Sequence, residues 1–174
     1  MTYSSLNRKL VRSALQRQTN NDGKKMREKD LDSGRGATDR SSSISKMTLK
    51  GLKVLLVEDN PDLQMLFSAT LKLAGASSVL AKNGKESLSV VKSQNFDAIL
   101  MDIQMPLMDG YEAMRRLREG GYKGPILALT AHALSGERDS FISQGFDDFI
   151  AKPDGPFRII AKLKEICSRT ERQL

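Results

Sequence analysis

Phe96-Asp97-Ala98-Ile99-Leu100-Met101-Asp102 is the stretch whose reading decides how this chain folds. Its residues are apolar in succession, not in alternation, until the run ends in a carboxylate. A strand that is apolar on both faces belongs to a parallel sheet covered on both sides. Two other runs read the same way: Lys53-Val54-Leu55-Leu56-Val57-Glu58 upstream and Pro125-Ile126-Leu127-Ala128-Leu129-Thr130 downstream. Shorter strands fit at Ser78–Ala81 and Asp148–Ala151. Helical patterns lie between these runs. Asn60-Pro61 has the cap-then-proline signature of a helix start; Leu63, Leu66, Phe67, Thr70 and Leu71 then mark one face, and Gly75 a stop. Further helices are expected from Gly84 to Gln94 with Leu88, Val90 and Val91 inward, and from Tyr111 to Glu119 with Tyr111, Met114 and Leu117. Two more are expected from Ala133 to Gln144 with Leu134, Phe141 and Ile142, and from Phe157 to Thr170 with Ile159, Leu163 and Ile166. Strand and helix alternate five times, which implies a doubly wound α/β sandwich with helices on both faces of the sheet.

Such sheets bind ligands at the carboxyl ends of their strands. The first strand ends in Glu58-Asp59, the third in Asp102, the fourth in Thr130, and the fifth just before Lys152. The second ends in Ala81-Lys82-Asn83, with nothing comparable. Neighbouring strands lie about 4.8 Å apart, so adjacent first and third strands would bring three carboxylates together. Like charges that close repel or push one pKa upward. A divalent cation relieves this, and a few carboxylate oxygens suit Mg²⁺, which keeps several waters. Lys152 and Thr130 add a positive charge and a hydroxyl donor. The set reads as phosphoryl transfer to a carboxylate, with Asp102 as nucleophile. Singly, each residue has a plainer reading: Asp59 or Asn60 as a helix cap, Asp102 as the start of a turn, Lys152 as a solvated lysine, Thr130 as a cap of the fourth helix. The convergence of all of them at one edge is what argues for chemistry.

These residues resemble the motifs of response-regulator receiver domains, and the resemblance covers roughly residues 51–170. Val54-Leu55-Leu56-Val57-Glu58-Asp59-Asn60 resembles the acidic-pair motif, and Met101-Asp102-Ile103-Gln104-Met105-Pro106-Leu107-Met108-Asp109-Gly110 the phosphoacceptor loop. Leu129-Thr130-Ala131 and Ala151-Lys152-Pro153 are similar to the third and fourth signatures. The wording around Asp102, with Leu49-Lys50-Gly51-Leu52 leading into the first strand, is most similar to receivers of hybrid histidine kinases. The resemblance implies a flavodoxin-like sheet of order 2-1-3-4-5. It implies Asp102 as phosphoacceptor and Mg²⁺ held by Glu58, Asp59, Asp102 and the backbone carbonyl of Gln104. It also implies Phe149 as switch aromatic and a cis peptide at Lys152-Pro153. The phosphodonor would be a histidine kinase or a histidine phosphotransfer protein, and the output would be a contact with a downstream protein. The chain would not be an enzyme beyond its own phosphorylation and dephosphorylation. The sequence departs from the family at Asp154-Gly155-Pro156, where an apolar residue usually follows the proline. Gln104 and His132, the single histidine, are expected to overhang the acyl phosphate and tune its lifetime by orienting water; a solvated loop histidine is the plainer reading of His132.

Charge is unevenly placed. Residues 1–50 hold 12 Lys/Arg against 5 Asp/Glu, whereas residues 51–174 hold 16 of each. The basic character therefore belongs to an N-terminal tail, and nucleic acid could be bound only there. Residues 18–46 are polar and nearly free of large apolar side chains, the composition of a disordered linker. Leu6, Leu10, Val11 and Ala14 recur at helical spacing before it, as a short amphipathic helix or a frayed tail. The expected boundaries are a tail at 1–50, with Met47 as a plausible alternative start, and a receiver domain at 51–170. With no kinase or effector segment recognisable on either side, a single-domain regulator is expected. One cysteine, Cys167, excludes an internal disulfide, and no apolar run nears the ~20 residues of a membrane span; the expected location is cytoplasmic. Two enzyme-like readings fit less well. A phosphatase using the same aspartyl chemistry needs a second acid where Gln104 stands. A nucleotide-binding fold needs a glycine-rich loop where Glu58-Asp59-Asn60-Pro61 stands.

Overall fold

Asn60 and Pro61 start the first helix as their order requires. The computed structural model of the chain, which describes residues 48–131, 138–152 and 156–170, places Asn60 at the N-cap. Its side-chain oxygen accepts from the backbone N–H groups of Asp62 at 2.9 Å and Leu63 at 3.2 Å. Pro61 begins the helix, where its missing N–H loses no bond. Gly75, at φ +89°, ends it in the left-handed conformation that favours glycine.

The elements are β1 (Lys53–Val57), α1 (Pro61–Leu73), β2 (Ser77–Ala81), α2 (Gly84–Ser93), β3 (Ala98–Asp102), α3 (Gly110–Glu119), β4 (Ile126–Thr130), α4 (Arg138–Ser143), β5 (Asp148–Ala151) and α5 (Pro156–Thr170). All strand pairs are parallel, in the order β2-β1-β3-β4-β5. This is the doubly wound sheet expected from the alternation, in the flavodoxin-like order that the family resemblance implied. Every residue of β3 and β4 is buried, as continuous apolar strands require.

Two cores lie on opposite faces of the sheet. One joins Val54, Leu56, Leu100 and Leu129 to Phe67 and Leu71 of α1 and to Ile159, Leu163 and Ile166 of α5. The other joins Leu55, Ile99, Met101 and Ala128 to Met114 and Leu117 of α3 and Phe141 of α4. The helical faces differ in part from the periodicity. Leu66 and Ile142, expected inward, are each 38% exposed, because the buried stripe of a surface helix is narrower than its run of apolar residues. The packed body also starts earlier than residue 51. Leu49 is 2% exposed, sits in the α1/α5 core, and donates its N–H to the carbonyl of Ala74. The tail helix, the linker 18–46, Met47, Leu134, His132 and the Lys152-Pro153-Asp154-Gly155 turn beyond Lys152 itself lie outside the described residues.

Candidate phosphoacceptor site

The sheet reverses its strand order between β1 and β3, and a crevice opens outside the strand ends at such a point. Val57 pairs with Met101, so the next residues, Glu58 and Asp102, come up side by side. Asp102 is in register with Leu129, and Thr130 with Ala151, so Thr130 and Lys152 follow along the same edge. The carboxylates of Glu58, Asp59 and Asp102 each offer an oxygen within 4.8 Å of the others. Glu58 is fully buried, Asp102 is 5% exposed and Thr130 8% exposed, while Asp59 and Gln104 face solvent.

Lys152 is not a solvated lysine. Its ammonium lies 2.7 Å from Glu58 Oε2 and 2.7 Å from Asp102 Oδ2, and its side chain is 14% exposed. A bond from the Lys152 N–H to the Thr130 carbonyl, at 2.6 Å, holds the backbone that delivers it. Asp102 Oδ1 accepts from the backbone N–H of Gln104 at 3.2 Å, so the residue that starts the turn also holds its carboxylate at this edge. Asn60 occupies the helix cap, which leaves Asp59 free of that duty. Burial holds the Glu58 carboxyl above its ordinary value; Lys152 works against this and the Asp102 charge adds to it.

The arrangement fits a hard divalent cation. Its donors are carboxylate oxygens, the set Mg²⁺ prefers. Glu58 Oε2 is moreover fully buried, and the charge that faces it is the Lys152 ammonium at 2.7 Å. A cation among the three carboxylates would share that oxygen with the lysine.

The loop after Asp102 is built around a close backbone approach. A Cβ on Gly110 would lie 2.2 Å from the Asp102 carbonyl oxygen, so only glycine fits. The Gly110 N–H donates to the Ile103 carbonyl at 3.0 Å and closes the loop. Asp109 caps α3 by accepting from the Glu112 N–H. The expected switch aromatic, Phe149, is partly buried and stacks on Phe141 at 5.3 Å between ring centroids. Phe141 in turn meets Tyr111 and Phe146.

Two participants escaped the sequence reading. Gln64 donates its side-chain amide to the Glu58 carbonyl and braces the acidic pair; one helical turn after a cap, it carried no signal. Asp148, 3% exposed at the start of β5, binds Lys162 of α5, Arg138 of α4 and the Phe149 N–H. A buried acid paired with a distant lysine is visible only once the chain is folded.

The fold and this acidic edge define a receiver class of α/β domain, and the chain belongs to the response regulator receiver domain family, whose model matches residues 54–164. It takes its place in two-component signalling as such a domain. It is 40% identical over 134 residues to hybrid signal transduction histidine kinase I of Dictyostelium discoideum, covering 71% of this chain and 8% of that protein. It is 42% identical over 111 residues to a two-component response regulator of Oryza sativa subsp. japonica, covering 62% of this chain and 87% of the relative. Among solved structures, the receiver domain of a sensor histidine kinase from Pseudomonas aeruginosa PAO1 superposes with a TM-score of 0.62 at 38% identity, over 68% of this chain and 98% of that one. That structure has a magnesium ion coordinated in its active-site cleft. Among the described residues, no helix is long and apolar enough to cross a membrane.

Proposed function

We propose that this chain accepts a phosphoryl group from a phosphohistidine onto Asp102, in a Mg²⁺-dependent reaction, and thereby switches a protein-binding face or relays the phosphate onward. The observation that carries this is the juxtaposition of three carboxylates within 4.8 Å with one ammonium that touches two of them at 2.7 Å. An Asp102 carboxylate oxygen forms the new bond to phosphorus as the phosphorus–nitrogen bond of the donor breaks, and the departing imidazole leaves neutral after its other ring nitrogen is protonated. Glu58, Asp59, Asp102 and the Gln104 carbonyl would hold Mg²⁺, which when bound neutralises charge on the transferring group. Lys152 leaves Glu58 and pairs with the phosphoryl oxygens; Thr130 donates its hydroxyl to one of them. The movement of Lys152 and Thr130 is passed to Phe149, on the strand that delivers Lys152. Gln104 and His132 govern how long the acyl phosphate lasts.

The 87% coverage of the rice regulator supports a stand-alone switch, and the similarity to a hybrid kinase supports a phosphorelay. The test is labelling by a small phosphodonor with and without Mg²⁺. Wild type should acquire an acid-stable, alkali-labile phosphate only with the metal, and Asp102→Asn should acquire none. Labelling that persists in Asp102→Asn would remove Asp102 from this role.

A further inference from the structure

Leu107 is an apolar side chain that folding does not account for. It is 85% exposed, the most exposed of the large apolar side chains among the described residues. Its φ is +69°, and no other described non-glycine residue has a positive φ. The Met108 N–H donates to the Pro106 carbonyl at 2.8 Å across it, so Leu107 is the apex of a three-residue turn of the rare, strained hand. A leucine gains nothing from this conformation, which glycine or asparagine would occupy more easily. The apex is nonetheless rigidly presented. Met108, the next residue, is buried, and its carbonyl accepts from the Gly84 N–H at 3.2 Å. On its far side, the Gly110 bond to Ile103 ties the loop to the end of β3.

This loop rises directly from Asp102. Asp102 is 95% covered by its own chain, so a phosphoryl group carried on a protein side chain can reach it only if the donor's surface lies on the surrounding rim. From these observations we infer that Leu107 is a docking and specificity residue for the phosphohistidine-bearing donor, inserting into an apolar patch beside the donor histidine. The inference rests on the proposed phosphotransfer function. It commits to a donor protein with an apolar surface because the side chain offered to solvent on this loop is apolar, and a small phosphodonor can enter the crevice without covering it. A fixed, exposed leucine is also the kind of anchor on which interface energy concentrates.

The test compares two donors on the full chain: a small acyl phosphate, and phosphorylated histidine phosphotransfer domains, the fastest of a purified panel serving as probe. Leu107→Gly removes the side chain and suits the turn; Leu107→Asp also opposes an apolar partner; Leu107→Met restores an apolar tip. With the protein donor, the glycine variant should lose about tenfold in transfer rate and the aspartate variant more, with the methionine variant near wild type. With the small donor all variants should label within about twofold of wild type, a spread too small to reflect a lost anchor contact. Unchanged transfer from the protein donor in Leu107→Asp would overturn the inference. So would an equal loss with both donors, which would mean that the side chain shapes the site itself. Labelling of wild type by the small donor alone, with no protein of the panel active, would overturn it too. A dimer of this chain that Leu107→Asp dissociates would assign the residue to a second copy instead. Failure of the small donor on wild type would overturn the phosphoacceptor reading beneath it.

Discussion

At the scale of single residues, the site is held by two contacts that tolerate little change. Gly110 lies under the backbone of Asp102, and a methyl group there would fall 2.2 Å from its carbonyl oxygen. Backbone cannot swing aside as a flexible side chain can. Gly110→Ala should therefore cost about 3 kcal/mol or more, with part of the loss expressed as displacement of Asp102. Chemical denaturation would measure it, and a loss below about 0.5 kcal/mol, the level of an ordinary surface change, would show that the loop relaxes freely. Lys152 is the second contact. Its ammonium is the cation that lies between Glu58 and Asp102 in this structure. Lys152→Ala leaves two buried carboxylates facing each other, and we expect a destabilisation of about 3 kcal/mol in metal-free buffer. The proposed Mg²⁺ site makes a second demand: added Mg²⁺ should recover much of that loss, read as a larger rise in Tm for the variant than for wild type. A variant whose Tm ignores Mg²⁺ would speak against metal and lysine sharing these carboxylates.

At the scale of elements, Asp148 links α4, β5 and α5 on the flank that carries Phe149. Burial raises its carboxyl, but hydrogen bonds from Lys162 and the Phe149 N–H, with the charges of Lys162 and Arg138, outweigh this and hold it below its ordinary value of 3.8. A carboxyl depressed in the folded state contributes stability that is present above the unfolded value and lost as pH falls through the folded one. The window therefore lies below pH 3.8. Lys162→Met removes the hydrogen bond and one charge, so the folded carboxyl titrates higher and acid unfolding begins at higher pH. Denaturation midpoints across the acid range would measure the shift; coincident acid limbs for variant and wild type would show that the ion pair contributes nothing net. Asp148 also accepts from the Phe149 N–H, so the same variant probes whether this clasp steadies the aromatic that stacks on Phe141.

At the scale of the whole molecule, the packed body and the basic tail meet near Leu49. Leu49 is 2% exposed among α1 and α5 residues, whereas the tail carries the whole net charge of +7. A chain starting at Met47 keeps Leu49, and its Tm should stay within a few degrees of the full chain, consistent with the linker composition of residues 18–46. Leu49→Ala should cost about 2–5 kcal/mol, the range for truncating a buried leucine. Calorimetry on both would separate the two claims. A large fall on removing residues 1–46 would mean that Leu6, Leu10 and Val11 dock on the body.

The sequence by itself determined the parallel sandwich, because strands apolar on both faces have no stable home outside a covered parallel sheet. It also determined which strand ends carry acid, hydroxyl and amine, because a strand's last residue follows directly from where its apolar run stops. Leu49, Leu66 and Ile142 were not legible in that way: burial at the end of a run or the margin of a helical stripe depends on what the rest of the chain places there. Other decisions belonged to the tertiary structure. Lys152 came to rest between Glu58 and Asp102, because strand order and register bring β1, β3 and β5 to one edge from positions 94 residues apart in the chain. The Asp148–Lys162 pair and the strained turn at Leu107 arose the same way. Local pattern records what a residue prefers, and only the closed fold decides which neighbours it must accept.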